Sequence, residues 1–275
     1  MAKLSSLLTQ LVEYKKITDA VKSGRTPAFA VGLSNIHKAH FICTIVGDLG
    51  KSGIVITPDE ATAVKLCEDI NAVFGQTMAM HYPARDFTFR EVEGASKEYE
   101  NARLAVLLKK AKGECSVVVA SAEAASQYTV PKDILLEKTM LLKTGGSIKI
   151  DDLVQFLVGA GYQRRDEVDG VCQFSIRGGI VDFYPPEASD PYRIEFWGDE
   201  IDTISAFKAD TQRRFENIDS IRLSPAREVL YDNPVQLADE LAEAAKRLKG
   251  KNSEQAKEHI LKDAEKLKAG LSLLN

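Results

Sequence analysis

The first half of the chain alternates short apolar runs with helical runs, and this alternation constrains the fold more than any other feature. Largely apolar strands are predicted at Ile54–Ile56, Met78–Tyr82 and Val117–Val119. Residues at helical spacing, closed by glycines, predict helices between these strands. Strands that are apolar on both faces and separated by helices are typical of a parallel sheet covered on both sides. The sequence therefore predicts an α/β domain.

Three further elements are predicted in this half of the chain. Leu4–Ser23 has the spacing of an opening amphipathic helix, and Pro27–Val31 has the composition of a short strand. The run Thr57-Pro58-Asp59-Glu60 predicts a capping box, with Pro58 as the first helical residue.

The pattern changes after Pro131. A strand is predicted at Leu135–Leu142 and a helix at Asp151–Ala160, and four short strands follow with turn residues between them. Those strands are Gln173–Ile176, Gly179–Tyr184, Tyr192–Trp197 and Ile201–Lys208. One helix followed by sequential hairpins is typical of a small α+β domain. Beyond it, Val235–Leu248 and Ser253–Leu274 are predicted to be charge-rich amphipathic helices.

The turn after Pro27–Val31 occupies the place of a phosphate-binding loop. The template is G-x-x-x-x-G-K-[ST], and this chain matches its first glycine with Gly32 and its lysine with Lys38. His37 replaces the second glycine and puts a ring where backbone N–H groups would approach phosphate. Ala39 replaces the hydroxyl that ligates Mg²⁺. The loop is thus either a degenerate P-loop or an ordinary β–α turn with a solvated lysine, and no catalytic residue is predicted.

Composition and charge disfavour several classes of function. The chain has 275 residues and a net charge of -4, whereas a dedicated DNA-binding domain is usually basic. It has no apolar run of the ~18–20 residues that a membrane span needs, so a cytoplasmic location without membrane contact is expected. The four cysteines are far apart in apolar surroundings and are predicted to be reduced core thiols. His37 and His40 lack further ligands nearby, so no metal and no cofactor is expected.

The most distinctive segment runs from Gly161 to Arg213. It contains R-G-G-I-V-D-F-Y-P-P, ending at Pro186, and R-I-E-F-W-G-D-E-I-D, ending at Asp202. These runs closely resemble the second domain of bacterial transcription-repair coupling factors, and a related form occurs in the excision-repair protein UvrB. The resemblance extends over nearly the whole chain. The loop equivalent to Gly32–Ala39 is intact in UvrB and degenerate in the coupling factors, so this chain resembles the latter.

The resemblance implies an α/β fold: a degenerate P-loop-type parallel sheet domain with an inserted small α+β domain. Residues 1–132 would be the first piece of the α/β domain and residues 133–228 the small UvrA-binding domain. Residues 229–275 would be the helical start of the second piece, in a chain truncated there. The partners implied are UvrA and the remaining domains of a full-length coupling factor. RNA polymerase and DNA would be reached through those domains, which carry the ATP-dependent translocase motor.

The resemblance also implies that UvrA docks on two arginines and an aromatic residue, which match Arg177, Arg193 and Trp197, the aromatic being typically Phe in the family. Alternation along a strand puts Arg193, Glu195 and Trp197 on one face, with Ile194 turned to the core. Arginine and tryptophan are frequent at binding hot spots. The alternative is a core tryptophan with arginines on a solvated sheet face. As surface residues, the arginines are expected to be replaceable with little effect on folding.

Three functions remain open from the sequence. The leading one is a non-enzymatic adaptor that recruits UvrA. The alternatives are a UvrB-type DNA-dependent ATPase, for which Lys38 would be essential, and a DNA-binding repair domain, which the acidic composition disfavours.

Overall fold

The computed structural model describes residues 7–74, 77–85, 98–231, 233–250 and 253–269. In chain order its elements are α1 (Val12–Lys22), α2 (Asn35–Leu49), β1 (Gly53–Thr57), α3 (Glu60–Phe74), β2 (Ala79–Tyr82), α4 (Glu98–Lys112), β3 (Val117–Ser121), α5 (Ala122–Ser126), α6 (Lys132–Glu137), β4 (Met140–Lys143), α7 (Ile150–Ala160), β5 (Gln163–Arg164), β6 (Gln173–Arg177), β7 (Ile180–Phe183), β8 (Tyr192–Trp197), β9 (Glu200–Phe207), β10 (Arg214–Asn217), β11 (Ser220–Leu223), α8 (Pro234–Arg247) and α9 (Ser253–Lys268). Within the described ranges no helix is long and apolar enough to cross a bilayer.

The first half of the chain forms a parallel sheet in the order β1-β3-β2. The central strand β3 is buried along its whole length. On one side, Val117 and Val119 pack with Ala39 of α2 and Ile70 of α3. On the other side, Val118 packs with α4. The α/β class and the three predicted strands are therefore confirmed.

The strand predicted at Pro27–Val31 is wrong. These residues have no regular secondary structure, and the side chains of Phe29 and Val31 are 82% and 93% exposed. A strand exists only where a neighbour accepts and donates its backbone hydrogen bonds, and the composition of one segment carries no information about such a neighbour.

The predicted capping box is also wrong. Helix α3 begins at Glu60, and its first turn is capped by Asp59, whose Oδ1 accepts the Thr62 N–H at 2.7 Å. That hydrogen bond lowers the pKa of the Asp59 carboxyl. Thr57 ends strand β1 instead, and its hydroxyl donates to the Ala120 carbonyl of β3 at 3.3 Å. Pro58 consequently lies before the helix and not in its first turn.

The strand predicted at Leu135–Leu142 is wrong in its first half. Residues 132–137 form helix α6, and only β4, from Met140, is a strand. Leu135 is buried against Leu104 and Leu108 of α4. A short apolar run fits a buried helical turn as well as a strand, and here the helix α4 beside it decides between the two.

The second half of the chain forms a sheet in the order β10-β9-β8-β7-β6-β5, antiparallel except between β5 and β6. Helix α7 packs on one face through Leu153 and Leu157, which meet Phe174, Phe183 and Ile194 of the sheet. All five side chains are fully buried. The predicted helix and the four predicted strands are confirmed to within two residues.

Helices α8 and α9 pack against each other through Ala238, Ala264 and Leu267. Asn233 caps α8 by accepting the backbone N–H groups of Val235 and Gln236. The two predicted C-terminal helices are confirmed, the second as far as Lys268, and residues 270–274 of that prediction lie outside the described residues. The start of the predicted Leu4–Ser23 helix lies outside them too. All four cysteines are buried, as predicted.

Polar contacts of helix α4 help to hold the six-stranded sheet and the parallel sheet together. Arg103, which is fully buried, donates through Nε to Glu228 Oε2 at 3.0 Å, and Arg85 donates to the same oxygen at 2.6 Å. At the other end of α4, Lys112 Nζ donates to Glu187 Oε1 at 2.6 Å. Buried ion pairs tolerate little displacement because separating the charges leaves each one desolvated and unpaired. These pairs therefore help to hold the two parts together.

Candidate protein-binding surface

Strand β8 places alternate side chains on opposite faces of the six-stranded sheet, as predicted. Ile194 is fully buried against the α7 side, and Phe196 packs partly buried on the same core. Arg193, Glu195 and Trp197 therefore share the other face. A register shift at Glu195/Phe196 leaves the extra residue on β9, so the alternation along β8 is unbroken.

Two tight turns bring Arg177 and Trp197 to the same end of the sheet. Arg177 pairs with Ile180 and Trp197 pairs with Glu200, so each closes a two-residue hairpin connection. The first residue of each connection is a glycine with positive φ, +60° at Gly178 and +63° in the β8–β9 turn, a conformation that other residues adopt only at a cost. Since β6 and β8 both run antiparallel to β7, their ends coincide.

Trp197 is 83% exposed. A tryptophan is seldom left so exposed, because about 150–250 Å² of mostly apolar surface is buried when an aromatic side chain is covered. The sequence-based alternative of a core tryptophan is therefore wrong. The Arg177 side chain beside it is 41% exposed, so a guanidinium and an indole are both accessible at this end of the sheet.

One buried carboxylate holds both arginines. Asp182 is fully buried and lies directly opposite Arg193 in the β7–β8 register. Arg193 donates through Nε to Oδ1 at 2.7 Å and through Nη2 to Oδ2 at 2.8 Å, which is a bidentate pair. Arg177 donates through Nη2 to Oδ2 at 2.7 Å. Asp182 was missed from the sequence, although a carboxylate between Val181 and Phe183 in an apolar strand is a signal that it needs a buried partner.

Arg193 is less accessible than its neighbour. Its side chain is 13% exposed, and its guanidinium carbon lies 4.7 Å from the centre of the Phe207 ring. Hydrogen bonding to Asp182 raises the pKa of Arg193 above its usual value, against the opposing effect of burial. The premise that Arg193 is a surface residue is therefore wrong. Removing it would leave a buried carboxylate with one partner instead of two, so we now expect its replacement to destabilise the fold.

A second charge pair borders the surface. Arg214 on β10 donates through Nη1 to Glu195 Oε1 at 2.6 Å, and Thr203 donates to Oε2 at 3.2 Å. Glu195 is thus engaged away from the two arginines. On the other side, Glu167 lies 3.7 Å from Arg177 Nη1 and is 65% exposed, a weak contact in water. With Glu167 and Glu195 counted, the positive and negative charges around this surface balance.

The loop Gly32–Ala39 differs from this surface, because its polar side chains bond to near neighbours in the sequence and Ala39 is buried. Gly32 has a φ of +83°, and helix α2 begins three residues later. His37 Nδ1 lies 3.0 Å from the Ser34 hydroxyl, and Lys38 Nζ donates to Asn35 Oδ1 at 3.3 Å on the exposed side of the helix. Ala39 is fully buried in the core. The position that would ligate Mg²⁺ in a P-loop therefore points inward here.

The space around this loop is apolar. Lys38 borders a cavity of about 540 Å³ between α2, β1 and α3, with Phe41, Val55 and Leu66 among its walls. Among the residues that the structure describes, no group of three His, Cys, Asp or Glu side chains is placed to hold a metal ion.

Polar groups at the carboxyl ends of the parallel strands bond to one another. Glu60 accepts from His81 Nε2 at 2.9 Å, from the Ala84 N–H at 3.1 Å, and from the Ser121 hydroxyl. Open α/β sheets commonly bind ligands at this edge. In this chain the cluster instead ties the ends of β2 and β3 to helix α3.

The sequence of the small α+β domain matches the model of a known domain family. Residues 140–229, which include Arg177, Arg193 and Trp197, match the family model of the UvrB interaction domain. The matched residues thus include the exposed indole and the accessible guanidinium at the end of the sheet.

The chain as a whole is similar to transcription-repair-coupling factors. It is 30% identical over 98% of its length to the factor from Bacillus subtilis, and 30% identical over 80% of its length to that from Staphylococcus epidermidis. The identity to the factor from Staphylococcus aureus is 27% over 80% of the chain. The chain spans 24% of the length of the first relative and 19% of the other two. The resemblance to the UvrB-like module of these factors is thus confirmed.

Proposed function

We propose that this chain is an adaptor module of transcription-coupled nucleotide excision repair. It recruits UvrA through the small α+β domain and has no ATPase activity of its own. The observation that carries this proposal is the exposed Trp197 beside Arg177, inside the region that matches the UvrB interaction domain.

The geometry suits a docking surface for physical reasons. Trp197 offers a large apolar area, and Arg177 offers directional hydrogen-bond donors, the combination found at binding hot spots. Both lie on a sheet whose other face is packed on α7, so little conformational entropy is lost when a partner docks. Arg193 lies at the base of the surface and contributes through its remaining exposed edge and its hold on Asp182.

The parallel sheet domain is, in this proposal, a P-loop-type scaffold that no longer handles nucleotide. Its support is chemical: His37 bonds to Ser34 where a glycine would stand, and Ala39 is in the core. The proposed boundaries are residues 1–132, 133–228 and 229–275. In the cytoplasm, the remaining domains of a coupling factor would connect this module to RNA polymerase and DNA.

The proposal is tested by titrating purified UvrA with the purified chain in isothermal calorimetry. Saturable binding that Arg177→Ala weakens is the expected result. The Lys246→Ala variant is the matched control, because Lys246 is an exposed cation that pairs with Glu243 on α8. Absence of binding by a folded chain, or equal binding by the Arg177 variant, would contradict the proposal.

A second candidate is a UvrB-type DNA-dependent ATPase. Its support is the spacing of Gly32 and Lys38 and the cavity that Lys38 borders. Titration with a fluorescent ATP analogue in the presence of Mg²⁺ tests it. Binding that Lys38→Ala abolishes would support the ATPase, whereas the adaptor proposal predicts no Mg²⁺-dependent binding by either form.

A further inference from the structure

The buried Asp182 lies beneath the proposed docking surface without reaching it. Its side chain is fully buried, so a partner on the sheet face contacts the arginines and not the carboxylate. Asp182 Oδ1 takes one hydrogen bond and Oδ2 takes two, which spans both guanidiniums. Any effect of Asp182 on binding must therefore pass through Arg177 and Arg193.

We infer that Asp182 is a positioning residue for UvrA recognition: its buried carboxylate fixes the guanidinium of Arg177 in the orientation that the partner meets. This inference rests on the proposed function. Arg193 holds the carboxylate in place from the neighbouring strand, with its own guanidinium packed on the Phe207 ring.

The need for positioning follows from the chemistry of arginine. An exposed arginine samples many rotamers, and the freedom lost on docking weakens binding. A hydrogen bond from Nη2 to Asp182 at 2.7 Å restricts these rotamers beforehand and leaves Nη1 directed elsewhere. Among the described residues, Arg177 has one further charged contact, with the exposed Glu167 at 3.7 Å, which is too long to orient it.

Charge and positioning predict opposite effects for the Asp182→Asn variant. The substitution keeps the shape of the side chain and removes one negative charge, so the sheet face becomes more positive. If the face only attracts an acidic partner, the variant associates faster and binds more tightly. If the carboxylate positions Arg177, the variant binds more weakly through faster dissociation.

The experiment measures association and dissociation rates of immobilised UvrA with four forms: wild type, Asp182→Asn, Arg177→Ala and the double variant. We expect Asp182→Asn to weaken binding about tenfold, mainly through dissociation. In the Arg177→Ala background the same substitution should add less than about threefold, because its effect passes through Arg177. Unchanged or tighter binding by Asp182→Asn, or full additivity in the double variant, overturns the inference.

Two further variants keep the outcome decisive. Glu216→Gln removes a carboxylate from the exposed strand β10 and should bind UvrA within about twofold of wild type. If Asp182→Asn does not fold, Arg177→Lys replaces it as the test. Lysine keeps the charge, but its single ammonium cannot reproduce the planar fork that bonds Asp182 through one nitrogen and faces a partner with the other. A loss of about tenfold or more is expected, and wild-type affinity overturns the inference.

The inference and the proposed function fail in different ways. A folded wild-type chain that does not bind UvrA ends both. Wild-type binding that Arg177→Ala weakens, together with undiminished binding by Asp182→Asn, ends the inference alone.

Discussion

The face of the six-stranded sheet opposite α7 and the loop Gly32–Ala39 each carry a cation close to a glycine turn. They differ in the group that binds this cation. Arg177 and Arg193 donate to one buried carboxylate at 2.7–2.8 Å. Lys38 donates to a neighbouring amide oxygen at 3.3 Å, on an exposed helix surface. A buried carboxylate fixes a side chain far more firmly than an exposed local hydrogen bond does, because water cannot replace the buried carboxylate as the hydrogen-bond partner.

The two regions also differ in the direction of the side chains that would act. Trp197 points outward and is 83% exposed, whereas Ala39 is fully buried. The sheet thus leaves Trp197 accessible to a partner, whereas the loop buries the position that a P-loop needs for Mg²⁺. Of the two regions, the sheet is therefore the one whose accessible side chains suit the proposed docking of a partner.

The largest expected effect is on stability. Arg193→Ala leaves the buried Asp182 with Arg177 as its remaining partner, and we expect the free energy of unfolding to fall by about 2–4 kcal/mol. Lys38→Ala, the matched change in the loop, should alter it by less than about 0.5 kcal/mol. Urea denaturation followed by circular dichroism measures both. If both variants lowered the free energy of unfolding by the same small amount, the proposed difference between the two regions would be contradicted.

Arg177→Ala separates binding from stability. Because Arg193 still pairs with Asp182, the free energy of unfolding should fall by no more than about 1 kcal/mol. The affinity for UvrA should fall about 30-fold, or about 2 kcal/mol. Calorimetry on the folded variant checks the second value. A variant that binds UvrA as well as wild type shows that Arg177 is not a contact residue.

Trp197→Ala should weaken UvrA binding about tenfold and leave the free energy of unfolding within about 0.5 kcal/mol, since the indole is exposed. Trp197→Phe, which installs the aromatic that is usual in the resembling family, should stay within about threefold of wild type. The same titration gives both values. If the alanine variant unfolds more readily by several kcal/mol, Trp197 has a packing role instead.

Restoring the loop toward the P-loop template should give the smallest effect. Ala39→Thr adds a hydroxyl and a methyl group in a filled core, and we expect a loss of about 1 kcal/mol in the free energy of unfolding. Combined with His37→Gly, it should not produce Mg²⁺-dependent ATP binding. ATP binding by this double variant would show that only those two side chains disable the loop.

Much of the fold was predictable because its signals are local. The apolar strands β1, β2 and β3, the helix α7 and the hairpins from β6 to β9 each follow from spacing and turn residues within a few positions. Pro27–Val31 and Leu135–Leu142 were mispredicted because the neighbouring chain, and not the segment itself, decides whether an apolar run becomes a strand.

The site was predictable in part for the same reason. Alternation along β8 gave the face that carries Arg193 and Trp197. It did not give the pairing of Arg193 with Asp182, eleven residues away, because the strand register brings the two together. Nor did it give the packing of Phe207 against the Arg193 guanidinium, which changes that residue from a surface contact to a largely buried one.

The most direct test of the central claim is one titration series of UvrA with wild type, Arg177→Ala and Lys38→Ala, run at the same salt concentration. We expect an affinity about 30-fold lower for the Arg177 variant and unchanged for the Lys38 variant. An unchanged affinity for Arg177→Ala, together with a loss for Lys38→Ala, would contradict it.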